Sequence, residues 1–121
     1  MRLEYPIVPV TKPRMTRRDK WLSPPRPGVA QYWAFKDEVK LRRITLPDHG
    51  YHVTFILPMP DSWSNNKKAE FDGAPHRQTP DKDNLEKALL DAIFGDDSHI
   101  WDGRVTKLWG AEGRIIIETP D

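Results

Sequence analysis

The chain has 121 residues, 37 % hydrophobic and 31 % charged, which suits one domain over residues 1–121 with a modest core and not two. It has no cysteine, which excludes disulfides and thiolate metal sites and makes a cytoplasmic setting the expectation. No run approaches the roughly 20 apolar residues of a membrane span, and the opening MRLEYPIVPV lacks the apolar stretch and small-residue cleavage site of a signal peptide. The net charge of +1 conceals a segregation, since residues 12–28 balance to +5 and residues 81–102 to −5. Opposed patches suit a protein that grips a polyanion and sets a cation against it; they also suit two segments that pair with each other.

In chain order, RLEYPIVPV alternates Leu3, Tyr5 and Ile7 and reads as a short strand, with Pro6 placing it at a sheet edge. The basic stretch that follows holds Pro13, Pro24, Pro25 and Pro27, so it is neither helix nor central strand. From about Ala30 to Arg43, Tyr32, Phe35 and Val39 fall at helical spacing, with Trp33 extending the apolar face. GYHVTFILPMP puts Tyr51, Val53, Phe55, Leu57 and Met59 on one face of a half-buried strand. A polar loop runs from Asp61 to Pro80. Beyond it Leu85, Ala88, Leu89, Ala92 and Ile93 form one helical stripe, with Asp81 or Asp83 as N-cap and Gly95 as terminator. The tail supplies IWDGRVTKLWG and GRIIIETP, joined through GAEG as a hairpin. The order β-α-β-α-β-β predicts an α+β fold, a small mixed sheet of about four strands with two helices on one face.

The helix after Pro80 is flanked by acids, Asp81 and Asp83 before it and Asp96 and Asp97 after it. Positions i and i+2 of an extended segment share a side, so Asp81 and Asp83 can address one point. A helix from about Asp83 to Ile93 is roughly 15 Å long. Asp97 therefore reaches that point only if the following chain turns back beside the helix. Two carboxylates about 4 Å apart repel by roughly 4 kcal/mol at an effective dielectric of 20. Such a cluster must take up a proton, a cation or a lysine, and Lys87 lies one turn beyond Asp83. Oxygen ligands without cysteine favour Mg²⁺ or Mn²⁺ over zinc. The plainer alternative is that these acids only cap the helix and fill a turn.

The string PDKDNLEKALLDAIFGDDSHIW, with KLWG shortly after, closely resembles the RusA family of Holliday junction resolvases. The family pattern, Asp-x-Asp-Asn-Leu-x-Lys-x-x-x-Asp-x-Leu followed by Asp-Asp, appears here as Asp81, Asp83, Asn84, Leu85, Lys87, Asp91 and Ile93, then Asp96 and Asp97. YWAFKDEV, a strand ending in Met-Pro, and His76 upstream of Pro80 agree more loosely. Lys82 departs from the aliphatic residue common at its position. The resemblance implies a Mg²⁺-dependent endonuclease that acts as a homodimer on four-way DNA junctions in recombination and repair. It implies Asp81, Asp83 and Asp97 as metal ligands and Lys87 as an essential lysine. Arg14, Arg17, Arg18 and Lys20, with Lys67 and Lys68 of the second loop, are the expected phosphate contacts. Trp21 or Trp63 could stack on unpaired bases, although five tryptophans in so short a chain also serve to anchor loops. The competing classes are a DNA-binding module without catalysis and a metal-dependent phosphoesterase acting on nucleotides or other branched DNA.

Overall fold

A computed structural model describes residues 1–13 and 26–120. The elements are β1 (Arg2–Tyr5), α1 (Pro27–Leu41), β2 (Tyr51–Pro58), α2 (Asn65–Phe71), α3 (Lys82–Ile93), β3 (Gly103–Gly110) and β4 (Arg114–Glu118). They form an α+β fold around one four-stranded mixed sheet in the order β1-β4-β2-β3. β2 and β3 are parallel, while β4 is antiparallel to both β1 and β2.

The expected helices, α1 and α3, cover one face of this sheet. Tyr32, Phe35 and Val39 from α1 and Leu85, Ala88 and Leu89 from α3 pack on Tyr51, Val53, Phe55 and Leu57 of β2 and on Ile115 and Ile117 of β4. Each fully buried side chain of this size contributes about 1.5–3 kcal/mol relative to exposure, so the stripe of α3 is what holds the acid-bearing helix in place. α1 starts earlier than its apolar spacing suggests. Pro27 sits in its first turn, where a missing N–H costs nothing and a preset φ favours the helix.

Several details differ from the sequence-based expectations. The tail strands are not a hairpin, because β2 lies between β3 and β4. The two most apolar strands, β2 and β4, pair at the centre, and the short connection 111–113 steps across the end of β2 after Pro58. With neighbours on both sides β2 is buried on both faces, including Thr54 and Ile56, and is not half-exposed. A third helix, α2, lies in the polar loop. It buries no residue, so no apolar stripe announces it, and its local signal is the Ser64 N-cap, whose Oγ accepts from Lys67 N at 3.2 Å. Trp33 stays 42 % exposed and does not extend the apolar face of α1. Among the described residues, no helix is long and apolar enough to cross a membrane.

Candidate active site

α3 turns its apolar stripe into the core, and its periodicity then places Asp83, Lys87 and Asp91, four residues apart, on the opposite, wet face. Lys87 is the hub of that face. Its Nζ donates to Asp97 Oδ2 at 2.8 Å and lies 3.3 Å from Asp91 Oδ1. The other oxygen of Asp91 takes Lys12 Nζ at 3.2 Å. Carboxylates and ammonium groups therefore alternate along Asp97, Lys87, Asp91 and Lys12. The basic and acidic segments meet at Lys12–Asp91, so pairing between them is real at this point. The hydrogen bonds from Lys87 to Asp97, then to Asp91, raise its pKa and keep it an ammonium.

The chain after Gly95 does turn back towards α3, which is how the Asp97 carboxylate comes within reach of mid-helix Lys87. Asp81 stands at the N-cap with extended backbone, but its side chain makes no capping bond. Asp83 lies inside the first turn, where Asn84 N donates to its Oδ1 at 3.0 Å. The segment from Asp81 to Asp83 is thus not extended, because α3 begins at Lys82, and the same-side rule for a strand does not apply. Asp96 does fill a turn: its Oδ1 accepts from Ser98 N at 2.9 Å, which holds its carboxyl below the usual range.

A divalent metal can be tested against this arrangement. The donors are all carboxylate oxygens, the chemistry that Mg²⁺ takes. Among the described residues, however, no three acids or histidines are gathered closely enough to hold an ion. The Asp97 carboxylate is already engaged by Lys87, while the Asp81 carboxylate is free of the helix cap.

The loop that delivers Asp81 is pinned to the outer edge of β3. Gly73 N donates to Trp109 O, Trp109 N to Ala74 O, and His76 N to Lys107 O, at 2.8, 2.9 and 3.0 Å. Lys107 then holds the next segment: its Nζ donates to the carbonyls of Gln78 and Pro80, both at 2.6 Å, on either side of the cis Thr79–Pro80 bond. Nothing in the sequence hints at this role, since Lys107 shares β3 with Arg104 and Thr106. Beside this loop opens a groove of about 780 Å³, with His76, Asp81 and Asn84 among its lining residues and the segment from Val8 to Pro13 contributing another part. His76 is buried against Trp109, ring centroids 4.0 Å apart, and burial, then the charge of Lys107, lowers its pKa. Its Nδ1 and the Tyr32 hydroxyl are buried without a hydrogen-bond partner among the described residues.

Of the expected phosphate contacts, Arg14, Arg17, Arg18 and Lys20 lie outside the described residues, as does Trp21. Lys67 and Lys68 are on α2, where Lys67 Nζ sits 4.2 Å from the Trp63 ring centroid. Trp63 packs on Trp109 at 4.8 Å and so anchors its loop to the sheet. An aromatic row thus runs from beneath Lys67 through Trp63 and Trp109 to His76.

No curated protein matches the chain. A family model described as Endodeoxyribonuclease RusA matches residues 4–119, a span that takes in every element from α1 to β4 and the whole acid-lysine array. The chain therefore belongs to the RusA endodeoxyribonuclease family, and its activity is endonucleolytic cleavage of DNA, of the crossover-junction class.

Proposed function

We propose that this enzyme resolves four-way DNA junctions by Mg²⁺-dependent, paired and symmetric phosphodiester hydrolysis, acting as a homodimer. The observation that carries the proposal is the lysine-centred array on α3, with Asp83, Lys87 and Asp91 in line and Asp97 drawn to them, inside the matched span. Asp81, Asp83 and Asp97, which are not gathered around one point as the chain stands, would have to close on the Mg²⁺, with Asp97 leaving Lys87. The ion would then supply polarisation of a phosphoryl oxygen and a lowered pKa of bound water. Lys87 keeps its proton and balances the acids, and it can stabilise charge that develops on the phosphate. Arg14, Arg17, Arg18, Lys20, Lys67 and Lys68 would contact the backbone, adding affinity that falls with salt and carries no sequence information. Two cuts at symmetric positions follow from two identical sites on a two-fold dimer.

The test is a labelled synthetic four-way junction beside a linear duplex of the same sequence, with Mg²⁺ and with chelator. Paired symmetric nicks are expected on the junction alone and with metal alone. Cleavage that persists in chelator would overturn the metal assignment, and equal cutting of the duplex would overturn the junction selectivity.

Lys107 gives a second expectation. Lys107→Met leaves the Gln78 and Pro80 carbonyls without their shared donor and loosens the backbone that sets Asp81. A small misplacement of a reacting group can cost on the order of a hundred-fold. Single-turnover cleavage should fall by about that factor while junction affinity stays close to that of the unmodified enzyme. Lys107→Arg should restore part of the rate.

A further inference from the structure

Trp101 leaves 71 % of its surface in solvent, although it is the bulkiest side chain type. It is nevertheless held in place. Its backbone N donates to Asp48 O at 3.1 Å, and its indole lies nearly parallel to the His49 imidazole, with centroids 5.1 Å apart and an interplanar angle of 17°. The His49 ring is braced in turn, its Nδ1 lying 2.6 Å from Asp48 Oδ1. One residue, Asp48, thus fixes both rings of the stack. A second tie joins the same two loops, from Gly50 N to Asp102 Oδ2 at 3.1 Å.

The stack is coupled to the active-site array through the backbone. Ile100 N donates to Asp97 O at 3.0 Å, closing a turn whose first residue carries the carboxylate held by Lys87 and whose end presents Trp101. The turn that aims Asp97 therefore also aims the indole.

We propose that the His49–Trp101 stack is a platform for an unpaired nucleobase of the DNA strand being cut. This rests on the junction-endonuclease reading given above. An aromatic face open to water, braced from behind by a second ring, is the form that base stacking requires. The nearest charges disfavour the other part of DNA as its occupant: Asp48 and Asp102 are held beside the rings and repel a phosphate, with Arg43 lining an adjoining cavity that His49 shares, whereas a neutral base meets no such penalty. Inside a duplex each base face is covered by its neighbours, so only a base at a branch or a frayed end has a face to offer.

The experiment uses the full chain in chelator with four-way junctions that carry 2-aminopurine at single positions around the branch. The unmodified enzyme should quench the fluorescence at one such position. Trp101→Phe should quench it partly, while Trp101→Ala and Trp101→Leu should not, and these two should bind the junction about ten-fold more weakly with duplex binding unchanged. Leucine keeps the bulk without the ring, so a loss shared with alanine belongs to the aromatic face. Quenching and affinity equal to the unmodified enzyme in Trp101→Ala would overturn the platform alone. So would a loss of self-association in that variant, since the ring would then serve a second copy of the chain. Failure of the unmodified enzyme to cut junctions would instead overturn the parent reading, and this one with it.

Discussion

Asp81→Asn is expected to bind a four-way junction at least as tightly as the unmodified enzyme and to cut it about a thousand-fold more slowly, the effect of losing several kcal/mol of metal-assisted stabilisation. Asparagine keeps the shape of the side chain and removes its charge. At the end of α3 that charge is spent on neither the cap nor, among the described residues, an ion pair, because Asp81 makes no capping bond and Lys87 turns to Asp97 and Asp91. Folding should therefore be unaffected, and the loss should be confined to chemistry. With one negative charge fewer beside the DNA, repulsion falls and affinity is maintained or improved. Gel shift in chelator and single-turnover cleavage in Mg²⁺ separate the two effects. An Asp81→Asn enzyme that cuts at the normal rate would remove the metal role from this residue.

Lys87→Met is expected to lower single-turnover cleavage by about a hundred-fold or more, comparable to removing one preorganised donor from a charge-stabilising site. The methionine keeps the length of the stem but releases Asp97 and Asp91 at once, leaving two carboxylates without the cation they share, with only Lys12 still beside Asp91. The raised pKa of Lys87 fixes the sign of its pH dependence. The folded chain holds this proton more tightly than the unfolded chain, so the pairing is fully present at neutral pH. It is lost only as pH climbs through the raised folded value. A fall in the rate of the unmodified enzyme near neutral pH therefore does not come from Lys87. The thermal midpoint of Lys87→Met should change little, since the ammonium end of these pairs is more than half exposed and water screens it. Lys87→Arg should recover only part of the rate, because a planar guanidinium does not place one point charge between two carboxylates as an ammonium does. A Lys87→Met enzyme with unchanged cleavage would show that the array on α3 serves folding and not chemistry.

The features most legible in the sequence were those written in local spacing. The stripe Leu85, Ala88, Leu89 and Ala92 implied α3 and, with it, the wet face carrying Asp83, Lys87 and Asp91. The alternation in Tyr51–Leu57 implied β2, and the spacing of Tyr32, Phe35 and Val39 implied α1. α2 was hidden because it packs nothing into the core and offers only a cap. The reading of the tail as a hairpin failed for another reason. Sequence nearness favours a hairpin, but Ile115 and Ile117 pair with Phe55 and Val53 of the buried β2, while β3 is a half-buried edge strand.

By itself the sequence determined the acids, the lysine one turn beyond Asp83, and the helix that presents them, because helical periodicity is a property of neighbours a few residues apart. Only the tertiary structure decided the strand order, the return of Asp97 to Lys87, the hold of Lys107 on the Asp81 loop, and the His49–Trp101 stack. Each of those joins residues ten to more than fifty positions apart. Which of them meet depends on how whole strands compete for the centre of the sheet, and no local pattern records that competition.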